Sequence, residues 1–174
     1  MTEQTQHTQL VNLLATRSAR RGDFILASGK RSTLYIDARL TTMSPDGLVS
    51  IGTAGLAAIR TTWSADAVGG LTLGADPIAY AIAYASTMDG SQPLKAFTVR
   101  KEAKKHGTGK IIEGPFATGD RVVIVEDVIT TGSSALQAIA AVTSAGGSVQ
   151  GVLALVDRQE GGREAIEAHG HQVV

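Results

Sequence analysis

The chain has no cysteine. That excludes a disulfide frame, a thiol nucleophile and a cysteine-ligated zinc site. It also has no net charge. Lysine and arginine number 16 together, aspartate and glutamate 16, so no global field selects nucleic acid or a membrane surface. No apolar run reaches signal or membrane length, and the N-terminal residues are polar. A soluble, cytoplasmic protein is therefore expected, without nucleic-acid or membrane partners. Aromatic residues are scarce at 4%, whereas glycine is frequent at 20 of 174 residues. That balance suits an α/β protein with tight, ligand-facing turns. The length suits one domain, residues 1–174, with a sizeable core.

Strand and helix signals alternate along the chain. Residues 4–21 have an apolar face (Leu10, Val11, Leu13, Leu14) and predict a helix ending before Gly22. Residues 24–27 and 34–37 predict a hairpin-like pair of short strands. Ser44 is placed to cap a second helix, with Pro45 in its first turn. Residues 67–71, 94–99, 122–125, 149–156 and 172–174 predict strands. Residues 135–145 and 163–169 predict helices, and a further helix is expected from Pro77, with Asp76 as its cap. This alternation argues for a mainly parallel central sheet flanked by helices, with ligands at the carboxyl ends of the strands. Residues 72–76, 100–110, 126–134 and 157–162 would all gather at that end.

One stretch organises the rest. Four β-formers, Val122 to Val125, run into the paired acids Glu126 and Asp127. After Val128 and Ile129 comes the turn Thr130-Thr131-Gly132-Ser133-Ser134, and then a helix. The first N–H groups of a helix lack intrahelical partners and lie at its positive end. Small and hydroxyl-bearing residues let a phosphate reach them. The acids cannot bind phosphate, but they can accept hydrogen bonds from sugar hydroxyls. The stretch reads as a site for a phosphorylated ribose.

Residues 100–110 carry five basic residues (Arg100, Lys101, Lys104, Lys105 and Lys110) against one acid, a net of +4, so the remainder nets −4. His106-Gly107-Thr108-Gly109 adds flexible turns. The segment is long for a plain connection and reads as a cationic lid for an anionic leaving group. RNA binding is disfavoured because no aromatic stacking residues lie near it.

The strand, acid pair and Thr-Thr-Gly-Ser-Ser turn resemble the signature of the type I phosphoribosyltransferases, which bind 5-phosphoribosyl 1-diphosphate (PRPP). Residues 100–107 resemble the catalytic loop of the orotate phosphoribosyltransferases. Residues 24–30, 69–77 and 156–162 resemble that family too, so the likeness runs from about Leu10 to the end. It implies the type I phosphoribosyltransferase-like fold, with a small N-terminal hood over about residues 1–40 and a flexible catalytic loop at 100–115. It implies transfer of the phosphoribosyl group of PRPP to orotate, giving orotidine 5′-monophosphate and pyrophosphate in pyrimidine synthesis. It also implies Mg2+ bound mainly through PRPP, and a homodimer whose loops reach across subunits.

Carried over by position, Glu126 and Asp127 would hold the ribose hydroxyls, and Val128 to Ser134 would surround the 5′-phosphate. Arg100, Lys101, Lys104 and His106 would meet pyrophosphate, with Lys104 foremost in catalysis and Arg100, His106 and Asp127 beside it. Thr130, Arg158 and Tyr35 would bind orotate, with Arg158 on its carboxylate. Two departures stand out. Ala27 occupies a position where many relatives have lysine, with Lys30 nearby. Thr72-Leu73-Gly74 replaces a common Ala-Tyr-Lys, so backbone N–H groups would have to serve there. The chain also ends at Val174, where relatives usually continue a few residues. Two alternatives are a phosphoribosyltransferase for another nucleobase and a non-catalytic PRPP-sensing regulator.

Overall fold

The computed structural model describes residues 3–25, 29, 31–102 and 110–174, the side chains of residues 3–6 excepted. The chain opens with α1 (Glu3–Leu13), a π-helical turn (Leu14–Ser18) and two strands, β1 (Ala19–Ile25) and β2 (Arg31–Ile36). α2 (Arg39–Thr42) and α3 (Pro45–Thr62) follow, then β3 (Ala67–Leu71), α4 (Ala75–Ser86) and β4 (Lys95–Val99). The remainder is β5 (Ile112–Glu113), β6 (Arg121–Ile129), α5 (Ser133–Ser144), β7 (Ser148–Asp157) and α6 (Gly162–Ala168).

β1 and β2 form an antiparallel pair apart from the main sheet, whose order is β5-β4-β3-β6-β7. All of its neighbours are parallel except the short edge strand β5. The chain leaves β3 towards β4 on one side, then returns to β6 on the other side of β3. The strand order therefore reverses between β3 and β6. Their pairing stops at Gly69↔Ile124, although both strands run on. A crevice opens there, as such reversals require.

Alternation along β6 fixes the two cores. Val122 and Ile124 face a cluster that includes Ala138 and Val142 of α5 and Ile166 of α6. Val123 and Val125 face one built with Ile51 and Ile59 of α3 and Ile78 and Ile82 of α4. All of these side chains are fully buried. Helices thus cover both faces, and the crevice between β3 and β6 is held open by two packed layers.

Several expectations need correction. The first α-helix stops at Leu13 rather than near Arg21, because residues 19–25 are taken by pairing with β2. Ser18, at the junction, buries its hydroxyl 2.8 Å from that of Thr41, and its carbonyl accepts from Asp37 N–H. Tertiary pairing overrides the local helical pattern. β6 continues through both acids to Ile129, since β7 pairs with it as far as Ile129↔Asp157. The last strand shrinks to one bridge, Val152↔Val173. Ser44 caps α3 as expected, accepting from Gly47 N–H with Pro45 behind it. Asp76 does not cap α4, which starts at Ala75 after Gly74 with no side-chain cap. Its carboxylate turns to Thr72 and Thr98 instead.

Candidate active site

The crevice holds a cleft of about 330 Å³. One wall is the end of β6, with Glu126, Asp127 and Val128, together with Ser134 of α5. The opposite wall is residues 71–74 at the end of β3. Tyr35 to Arg39 close it from the hood side, and Lys101 reaches it from the end of β4. Of the residues singled out by sequence, Tyr35, Lys101, Glu126, Asp127, Val128 and Ser134 thus line one space.

Glu126 is buried, and its Oε2 has no hydrogen-bond partner among the described residues. Burial, then the charge of Asp127, then a hydrogen bond with Asp127, push its carboxyl up to about 8. The consequence for stability has a definite sign. Between the unfolded value near 4.5 and the folded value near 8, the unfolded chain gives up this proton while the folded chain keeps it. Unfolding is therefore increasingly favoured as pH rises through that window. Glu126→Gln removes the charge without changing the shape. The ligand-free variant is expected to match the parent's stability near pH 5 and to exceed it near pH 8 by on the order of a few kcal/mol, read as a higher melting temperature. Parallel melting curves at both pH values would count against the buried-acid assignment.

Asp127 Oδ1 accepts from Val128 N–H at 2.9 Å. Gly74 faces it across the crevice, and a Cβ added to Gly74 would lie 2.6 Å from the Asp127 carboxyl carbon. The Thr72–Leu73 peptide beside it is cis.

The turn after β6 is shaped by Gly132, whose φ of 78° suits glycine. α5 then begins at Ser133 without a side-chain cap. Its first N–H groups therefore remain available at the positive end of the helix. Thr131 donates to Ser133 Oγ at 3.2 Å, so the hydroxyls of the turn converge. The turn is also sewn to the start of α6. A Cβ on Gly132 would lie 2.7 Å from the Gly162 carbonyl oxygen, and one on Gly162 2.7 Å from the Gly132 nitrogen.

Arg158 lies off the cleft wall. Its backbone N–H donates to Ile129 O at 3.0 Å, which fixes it beside the turn and Thr130. Its guanidinium is nearly buried, 3.1 Å from Glu160 and 3.4 Å from Ser32 Oγ of β2. Arg100 turns to Glu113 at 3.9 Å and to the Glu102 carbonyl. Lys101 is held by its backbone, whose carbonyl accepts from Gln137 of α5 at 3.2 Å. Lys104 and His106 lie outside the described residues, as do Ala27 and Lys30.

Sequence reasoning missed Asp37 and Arg39. They pair at 2.8 Å on the cleft side, and that hydrogen bond holds the Asp37 carboxyl below its ordinary value. An acid and an arginine two residues apart, just past a strand, were the available signal. It missed Glu160, whose signal was the same two-residue spacing from Arg158, and Ser32, which only the fold brings to Arg158. The arrangement offers two acceptors for hydroxyls, an uncapped helix start for a phosphate, and a guanidinium for a planar anion.

No family model matches the chain. It is 50% identical over 168 residues to the orotate phosphoribosyltransferase of Aquifex aeolicus, covering 95% of this chain and 91% of that protein. The crystal structure of Mycobacterium tuberculosis orotate phosphoribosyltransferase in complex with Fe(III) dicitrate matches with a TM-score of 0.85. It has 43% identity over 97% of this chain and 93% of that one. The structure of the same enzyme in complex with PRPP matches with a TM-score of 0.78 and 38% identity. That match covers 97% of this chain and 86% of the other.

Proposed function

The chain belongs to the orotate phosphoribosyltransferases, the pentosyltransferases that move the phosphoribosyl group of PRPP to orotate, and we propose that the crevice between β3 and β6 is where it does so. The observation that carries this reading is the buried Glu126 oxygen, without a partner among the described residues, beside Asp127 and next to an uncapped helix start. Glu126 and Asp127 accept from the ribose hydroxyls, and the N–H groups and hydroxyls of residues 130–134 hold the 5′-phosphate. Backbone N–H groups of residues 73–74 face the diphosphate in place of the lysine many relatives carry.

The reaction is displacement at the anomeric carbon of ribose. The bond to pyrophosphate breaks, the ring gains positive charge and the leaving oxygens gain negative charge. Orotate supplies the nucleophile through its ring nitrogen, so the protein needs no nucleophilic side chain. Its part is to place both reactants and to set cations at the leaving group. Arg100, Lys101, Lys104 and His106 take that role.

No group of three or more His, Cys, Asp or Glu side chains among the described residues is arranged to hold a metal. We assign Mg2+ to PRPP oxygens and water, as hard cations commonly bind through substrate phosphates, and no side chain is assigned to it. When bound, the ion neutralises diphosphate charge.

Arg158 is assigned to the orotate carboxylate, which takes the place of Glu160 on the guanidinium, while Tyr35 and Thr130 flank the ring. A charge-assisted pair of this kind is worth about 1.5–3 kcal/mol. Arg158→Ala is therefore expected to raise the KM for orotate roughly ten- to a hundred-fold and leave that for PRPP unchanged, read by orotate absorbance with PRPP and Mg2+. Unaltered orotate affinity would remove Arg158 from the site. The same assay with uracil or purines distinguishes another base as substrate.

We place the enzyme in the cytoplasm as a homodimer with residues 100–110 shared across subunits. Among the described residues, no helix is long and apolar enough to cross a membrane. An apolar groove of about 460 Å³ between α3 and α4, edged by the exposed Val49, Tyr80, Tyr84 and Met88, supports association with a second copy.

A further inference from the structure

The buried carboxylate of Asp76 has no part in the roles above. It sits in the first turn of α4, within 9% of full burial. Two hydroxyls converge on it. Thr72 donates to Oδ2 at 2.7 Å and Thr98 of β4 donates to Oδ1 at 2.8 Å. Thr98 is also 2.9 Å from the hydroxyl of Tyr80. A threonine hydroxyl has one proton. Thr98 commits that proton to Asp76, so Tyr80 must donate to Thr98. The direction of every bond in the chain Tyr80, Thr98, Asp76, Thr72 is thereby fixed.

Thr72 is held a second time, by its backbone N–H on the Val99 carbonyl at 2.8 Å. The residue that opens the 72–74 wall is thus gripped at its side chain by α4 and at its backbone by β4. Glycine at 74 brings no side chain to that wall, so its shape rests on such outside contacts.

We infer that Asp76 is a positioning residue: through Thr72 it sets the backbone N–H groups of residues 73–74 for the diphosphate of PRPP. This rests on the placement of PRPP in the crevice given above. Asp76 orders the wall without touching substrate, and among the described residues its carboxylate receives only hydroxyl donors.

The test uses the full-length enzyme and compares Asp76→Ala, Thr72→Val and Thr72→Ser, with Glu126→Ala as the control on the site. KM for PRPP, KM for orotate, kcat and the Kd of pyrophosphate with Mg2+ are measured for each. Thr72→Val removes one hydroxyl at nearly constant shape, so it carries the test even where Asp76→Ala does not fold. Thr72→Val is expected to raise KM for PRPP and Kd for pyrophosphate about ten-fold, the effect of losing one charge-assisted hydrogen bond. Thr72→Ser should restore both to within about two-fold, and KM for orotate should not move. If Thr72→Val binds PRPP normally while Glu126→Ala does not, the inference is overturned and the site stands. If Glu126→Ala also binds PRPP normally, the placement of PRPP fails, and this inference with it. Equal losses for PRPP and orotate would indicate a general structural role and overturn it as well.

Discussion

Lys104→Ala is expected to lower kcat by about a hundred-fold or more while changing the KM for PRPP little. The asymmetry follows from when the charge appears. On the proposed placement, the ground-state diphosphate would already be served by Mg2+, by the 72–74 wall and by neighbouring cations. As the bond to ribose lengthens, new charge accumulates on the leaving oxygens, and a cation aimed there gains strength only then. An interaction made mainly in the transition state appears in kcat. A lost ground-state contact would instead raise KM at constant kcat, and near-normal turnover would end the assignment. The assignment rests on the basic pattern of residues 100–107 and its likeness to the family's loop. Its described flank is consistent in position, since Lys101 lines the cleft and its carbonyl is tethered to Gln137. Mixing Lys104→Ala with Asp127→Ala offers a second readout. If the loop serves the neighbouring subunit, hybrid dimers contain one site with neither lesion, and activity rises on mixing.

Gly74→Ala should cost the PRPP site nearly as much. The added methyl would fall 2.6 Å from the Asp127 carboxyl carbon and equally close to its oxygens. Backbone on one side and a short side chain on the other leave no room at that distance. Asp127 must rotate away, giving up its bond from Val128 N–H and, on the proposed placement, its reach to the ribose hydroxyls. Losing a charged acceptor there is worth about 1.5–3 kcal/mol, a roughly ten- to hundred-fold rise in the KM for PRPP. Orotate binding through Arg158 should be spared. Wild-type kinetics in Gly74→Ala would mean that the wall yields and that Asp127 is not confined by it.

Much of this was legible in the sequence because it is local. The run from Val122 to Ser134 announces strand, acids and turn in order, and the strand-helix alternation announces the sheet. The β3 strand is found at its expected residues, and the acid pair lies at a crevice. What was not legible depends on pairing between distant residues. Residues 19–21 read as helix because their pattern is helical; only β2 shows them to be strand. Asp76 reads as a cap because acids commonly cap helices. Two threonines, one four residues before it and one on the next strand, claim it instead. Ser32 carries no motif and gains meaning only from Arg158, which the fold sets beside it.

The contact between Gly132 and Gly162 ties two stretches that lie thirty positions apart in the chain. Either position, given a side chain, would press on backbone belonging to the other. Backbone cannot be trimmed by a compensating substitution as a side chain can. The phosphate turn and the start of α6 are therefore bound to a shared history. Mutation can reshape the base-reading end or the phosphate-reading end of this enzyme freely only where the change stays clear of that seam. If Arg158 reads the base as proposed, recruiting the scaffold for a different nucleobase would have to proceed through Arg158 and the hood, leaving the two glycines untouched.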